Sequence, residues 1–370
     1  MTTKIRTRIN GDQHVLEVVQ GAESVSQLTV LDATIRVLGT SVRMGGIGGV
    51  GTKSEHRMKG HARRLLEEAV RYMTGLGQDV SMLFGIPDFY DKFGFVPCLP
   101  SHCVHIATRD AERAAEGAGD YSTRPIGEND YGFVARLYNE DNRNRAASLV
   151  RDERSFRGFH KGSNFRTQAA GFILEDGNGR SVGYAAFDDS RTEVNVIEAN
   201  AADPRAFRAL LYEFAKMAID RRAGYLELYM ACEHPFVRFA RRYGCQVQST
   251  YERMGGGMMR ILNQGSLFRK LRPALRKRLD YTEFNRRSVK LTIETDLGTT
   301  KLRFNNQGSR PAAAGVVRLG QDKLTQLVIG YRSADDLLAD SGVAAEGDAE
   351  ALLKVFFGGQ EPYVWKADEF

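Results

Sequence analysis

Between Ala62 and Met73 the small and apolar residues Ala62, Leu65, Leu66, Ala69, Val70 and Met73 fall at i, i+3, i+4, i+7, i+8 and i+11, the spacing of one face of a helix. Gly75 and Gly77 then stop it. Upstream, between His14 and Thr52, the runs Val15-Leu-Glu-Val-Val, Val25–Leu31 and Thr34–Leu38 are rich in β-formers and separated by turn residues, which predicts a meander of antiparallel strands. Downstream, Val80–Gly85 reads as a buried strand.

The same order returns further along. A strand at Ala170–Leu174, a turn at Glu175-Asp-Gly-Asn-Gly179 and a strand at Ser181–Phe187 precede a helix over Arg205–Arg221 and a strand over Tyr225–Met230. At matching places Phe89-Tyr-Asp-Lys-Phe-Gly-Phe95 and Phe239-Ala-Arg-Arg-Tyr-Gly-Cys245 share the pattern aromatic, x, x, basic, aromatic, Gly, so one α/β unit is expected twice. A third α+β module has two β runs around Leu297-Gly-Thr, a strand at Val316–Leu319 and helices at Ser333–Leu338 and Asp348–Phe356. The expected units are residues 1–120, 121–266 and 267–370.

A chain of 370 residues exceeds what one core serves, which agrees with several units. Its 42% hydrophobic and 26% charged content suits a folded chain ordered throughout. No apolar run approaches the roughly 18 to 20 residues of a membrane span, and the start lacks a signal-peptide pattern, so a cytoplasmic, non-membrane protein is expected. Cys98, Cys103, Cys232 and Cys245 form no CxxC pair, so neither a metal site nor a disulfide framework is expected. The net charge of +6 is concentrated in Phe268–Arg278. Without interleaved aromatics or a nucleic-acid motif, that run reads as a solvated linker helix and no nucleic-acid partner is expected.

Chemistry concentrates between Ile47 and Phe95. A glycine-rich strand, with Gly48, Gly49 and Gly51, runs into Arg57-x-x-Gly60-x-Ala62 at the start of the amphipathic helix. Free N–H groups and the positive dipole end of that helix, close approach at Gly60, and the charges of Arg57 and Lys59 suit a pyrophosphate. His160, His234 and the Asp188-Asp189 pair have no partners at catalytic spacing and read as structural.

This order of parts resembles the GNAT superfamily of N-acetyltransferases, whose (Arg/Gln)-x-x-Gly-x-(Gly/Ala) turn binds coenzyme A. The whole chain is similar to the enhanced intracellular survival (Eis) acetyltransferases. Glu55-His-Arg-Met-Lys-Gly60 matches their Thr-His-Arg-Arg-Arg-Gly, Phe89–Phe95 matches their Ile-Tyr-Gly-Arg-Phe-Gly-Tyr, and the ending Glu369-Phe370 matches theirs. The resemblance implies tandem GNAT folds followed by a sterol-carrier-protein-like α+β domain, acetyl-CoA as cosubstrate, no metal, a primary amine as acceptor, and a homo-oligomer, trimer or hexamer. It implies that the main chain of Val50, Gly51 and Thr52 binds pantetheine. Arg57, Met58, Lys59, Gly60, His61, Ala62 and Arg63 would wrap the pyrophosphate, and Gly85 and Ile86 would complete the groove. Tyr90 takes the place of the general acid and the free carboxylate of Phe370 that of the base.

In the second copy Ala240 stands where the first has Tyr90, and its helix start has no glycine, so that copy is expected to bind no cofactor. Only about thirteen residues precede the first clear strand, where that family carries a strand and helices walling the acceptor pocket. Asp88 and Glu369 remain as ammonium contacts. The alternative reading is a non-catalytic scaffold or carrier of apolar ligands.

Overall fold

The N-terminal meander is built of β1 (Thr3–Asn10), β2 (Gln13–Gln20), β3 (Glu23–Val37) and β4 (Thr40–Thr52) in a computed structural model that describes residues 3–164, 166–305 and 311–370. β1 is a strand where none was expected. Only Ile5 and Ile9 give it an apolar alternation, and it is held instead by its ladder with β2 and by Arg6 and Arg8 on the buried Glu17 carboxylate, at 3.0 and 2.9 Å. The two runs expected as separate strands at Val25–Leu31 and Thr34–Leu38 are one, because Asp32 and Ala33 stay in register with Gly45 and Met44. α1 (His61–Gly75) then buries Leu65, Leu66, Ala69 and Met73, β5 (Val80–Gly85) pairs parallel with β4, and β6 (Val96–Leu99) follows.

The next strand, β7 (Ser101–Ala107), leaves this sheet. Behind it come α2 (Thr108–Ala111), β8 (Tyr121–Pro125), α3 (Tyr131–Asp141), β9 (Ala169–Asp176), β10 (Ser181–Asp188), β11 (Val194–Ala201), α4 (Ala206–Asp220), β12 (Tyr225–Leu228), α5 (Pro235–Ala240), β13 (Gln246–Thr250) and β14 (Gly256–Ile261). The first sheet runs β1-β2-β3-β4-β5-β14-β6 and the second β13-β7-β12-β11-β10-β9-β8. β14 beside β5 and β7 beside β12 occupy equivalent places, so the two units exchange a strand reciprocally.

The remainder holds α6 (Gln264–Leu279), β15 (Val289–Thr295), β16 (Gly298–Phe304), β17 (Ala313–Arg318), α7 (Gln321–Ile329), α8 (Ala334–Leu338), β18 (Ala344–Gly347) and α9 (Ala349–Phe357), with a sheet ordered β16-β15-β17-β18. α6 carries the basic run, yet it is no freely solvated linker. Leu267, Phe268, Leu271, Leu275 and Leu279 repeat at helical spacing and are buried in one core with Val42 and Met44 of the first sheet and Leu291 and Ile293 of the third. Its charges flank that stripe, with Lys270 bonded to the buried Asp79 carboxylate and Arg278 to the carbonyl of Gly358. Among the described residues no helix is long and apolar enough to cross a membrane.

Candidate functional site

The site begins where two strands part. β4 and β5 pair only from Met44–Val80 to Ile47–Leu83. On its other side β4 carries a bulge, with Gln27 and Thr29 of β3 opposite Gly51 and Gly48 and Gly49 at φ +60°, a backbone conformation that glycine adopts without strain. The β5-facing edge of Gly48–Thr52, which includes Val50, Gly51 and Thr52, is therefore left without a strand partner. Ser26 accepts no such freedom on the opposite edge. Its hydroxyl donates to the Gly51 carbonyl at 2.9 Å and meets the Thr52 hydroxyl at 2.8 Å.

Beyond Thr52 the chain makes one 3₁₀ turn and reaches Gly60 at φ +79°, the residue before α1. A Cβ at Gly60 would meet nothing within 4 Å, so its glycine serves the backbone bend and leaves the approach open. No side chain caps α1 and no acidic residue lies in its first turn, so the turn's N–H groups face outward beside Arg57, Lys59, His61, Ala62 and Arg63. Arg57 and Lys59 brace the turn through the carbonyls of Thr52 (3.4 Å) and Glu55 (2.9 Å). Met58, also at positive φ, is fully exposed. Burial, then the neighbouring His56 and Lys59, hold the His61 imidazole below its ordinary value.

Gly85 ends β5 and Ile86 stands exposed beside it. Tyr90 opens the 3₁₀ turn that follows and is buried, its ring edge-to-face on Phe89 at 5.0 Å. A Cβ on Gly85 would lie 2.4 Å from Tyr90 Cδ2, so only glycine fits there. Burial raises the Tyr90 phenol above its ordinary 10.0.

The last residue of the chain reaches the same fork. A Cβ on Gly46 would lie 2.5 Å from Phe370 Cζ, and one on Gly48 3.3 Å from the terminal carboxyl carbon. The Phe370 ring packs edge-to-face on Phe84 of β5 at 5.7 Å. Phe370 and Glu369 line a cavity of about 430 Å³ with Gly85, Ile86, Glu252 and His102, while Lys366 binds Glu369 at 3.0 Å. Asp88, the other acidic residue singled out from the sequence, pairs at the surface with Arg253 at 3.2 Å. Glu252 and His102 gave no signal in the sequence, because each lies in a segment that the strand exchange brings to this end of β5. Among the described residues, Glu23, Glu55 and His56 are close enough to share a cation, and there the Lys53 ammonium already bonds Glu23.

Residues 4–98 match the family described as Acetyltransferase (GNAT) domain. No curated protein matches the sequence. The fold is similar to that of a probable N-acyltransferase from Enterococcus faecalis, at 16% identity over 97% of this chain and 90% of that one, with a TM-score of 0.73. It is also similar to a GCN5-related N-acetyltransferase from Kribbella flavida, at 19% identity, 96% and 88% coverage and TM-score 0.69. Eis1 from Mycobacterium abscessus aligns over the full length of both chains at 14% identity and TM-score 0.66. At these identities the likeness is one of fold, a tandem pair of GNAT folds followed by a further α+β domain.

Proposed function

We propose that the chain is an N-acetyltransferase that moves an acetyl group from acetyl-CoA to a primary amine, on a small molecule or a lysine side chain. The observation that carries this reading is the fork itself: an unpaired strand edge on β4 leads to an uncapped helix start, Tyr90 packs on Gly85 at the end of β5, and the terminal residue packs on Gly46 and Gly48 of β4. The fork suits the cosubstrate: Val50, Gly51 and Thr52 offer main-chain groups to a pantetheine arm, and the turn from Arg57 to Arg63 offers N–H groups and cations to a pyrophosphate. Gly85 and Ile86 form the facing wall.

Acetyl-CoA, when bound, supplies the thioester carbonyl that an amine attacks; a C–N bond forms and the C–S bond breaks. The amine must first be neutral. The Phe370 carboxylate accepts the ammonium proton, and the Tyr90 phenol, kept protonated by its burial, donates to the departing sulfur. Glu252, Glu369 and Phe370 line the cavity together with Lys161 and Lys366, the last already bonded to Glu369, so a cationic acceptor would meet a lining of both signs. The likeness in fold to Eis1 from Mycobacterium abscessus over the full length of both chains supports an Eis-like assignment with a sterol-carrier-like third domain. We propose from that resemblance alone a cytoplasmic homo-oligomer, trimer or hexamer, with units near 1–120, 121–266 and 267–370 apart from the exchanged strands β7 and β14.

Titration calorimetry tests the reading at its first requirement. Acetyl-CoA is expected to bind at one site per chain, and Arg57→Ala with Lys59→Ala to weaken it by about ten- to a hundredfold, the loss of one or two charge-assisted contacts. A chain that binds no acetyl-CoA would refute it.

A further inference from the structure

The second sheet has a fork of its own. β11 pairs with β12 only from Val194–Leu226 to Val196–Leu228, after which the strands part as β4 and β5 do. Two residues on, Glu198 is fully buried, and the chain's C-terminal 3₁₀ turn, Lys366–Asp368, packs against β11 there. Arg151 joins the two. Its guanidinium donates to both Glu198 oxygens at 2.6 Å, and to Asp368 Oδ1 at 3.1 Å from Nε and 2.8 Å from Nη2. The Tyr138 and Tyr184 hydroxyls donate to Asp368 at 2.8 Å and Glu198 at 2.7 Å, and Arg151 stacks 3.7 Å over the Tyr138 ring. Just before the turn, Trp365 donates to Asn142 Oδ1 at 2.9 Å and is buried.

We infer that the fork of the second unit has become the anchor for the chain's own C-terminus, with Arg151, Glu198 and Asp368 as positioning residues that set the Phe370 carboxylate in the fork of the first. Only two peptide units separate Asp368 from Phe370, so fixing the Asp368 carboxylate leaves the terminal group little room to wander. The network is aimed at the tail: four of the bonds above end on Asp368 or Trp365, and Asp368 sits 217 residues from Arg151. A buried charge cluster contributes little net stability compared with apolar packing. It does specify one geometry, which the terminal group needs.

The role given to Phe370 rests on the function proposed above, so the test reads the anchor separately from catalysis. The full-length protein and its Asp368→Asn variant are incubated with carboxypeptidase well below their melting temperatures, and loss of Phe370 is followed by mass spectrometry. Asp368→Asn is expected to release Phe370 at least tenfold faster. In acetyl transfer, its kcat is expected to fall at least tenfold while KM for acetyl-CoA stays within twofold, and Asp368→Glu to restore part of both. Tyr138→Phe, which removes one hydroxyl, shifts release in the same direction by a smaller factor and decides the matter if Asp368→Asn does not fold. Faster release with kcat unchanged would uphold the anchor and overturn the base assignment. Equal release rates in parent and variants would overturn the anchor.

Discussion

Tyr90 is a phenol within an aromatic cluster, and what separates it from an ordinary core tyrosine is Gly85 at the end of β5, which yields the space its ring occupies. Tyr90→Phe removes one oxygen and keeps the packing, so kcat is expected to fall by about a hundredfold or more, the usual size of a lost proton donor, with KM for acetyl-CoA and the melting temperature unchanged. Its pH dependence follows from burial. A phenol raised above 10.0 remains a donor to higher pH, so the rate should show no alkaline fall below 10; a fall centred near 8 or 9 would mean that another group gives the proton. Tyr90 stood out as a candidate from its place in Phe89–Phe95. Gly46 and Gly48 were not legible as the seat of Phe370, because their partner lies more than 300 residues away.

At the scale of elements, periodicity did most of the work. α1 and β5 were evident because their core faces carry strong apolar spacing, and α6 was misread as solvated because six basic residues in Phe268–Arg278 obscure five buried apolar ones. β1 escaped notice for a different reason: its hold on the sheet is ionic. Burial pushes the Glu17 carboxyl up, and bonds from Arg6 and Ser24 with the charges of Arg8 and Arg6 more than offset this, leaving it below the usual carboxylate range. A carboxyl lowered in the folded state stabilises the hairpin above its unfolded value of about 4.3. That contribution is lost as pH falls through the folded value. Glu17→Gln should therefore cost about 1–3 kcal/mol at neutral pH, as for a lost hydrogen bond to a charged group, and the difference from the parent should shrink in acid. Urea unfolding at pH 7 and pH 3 checks both.

For the whole molecule, the repeat in the sequence announced two α/β units, but nothing local could announce that they exchange β7 and β14, since a strand's partner is chosen by the complete set of edges available. The exchange has a consequence for folding. A chain ending at residue 120 lacks β14 and leaves β5 without its neighbour, while β7 has no second sheet to join, so this fragment is expected to give no cooperative thermal transition; a sharp melt would contradict it. The same long-range assembly brings the terminus to the fork, through a tail whose Tyr363 and Trp365 lie in the second core and Val364 in the first. Acetyl transfer is proposed at a site of the first unit that this terminus completes. It is tested most directly by release of free coenzyme A thiol on mixing acetyl-CoA with a panel of primary amines, for the full chain and for one lacking Phe370. Amine-dependent turnover by the full chain is expected, falling at least tenfold without Phe370 while acetyl-CoA still binds. No turnover with any amine, or equal turnover by the two chains, would contradict the account.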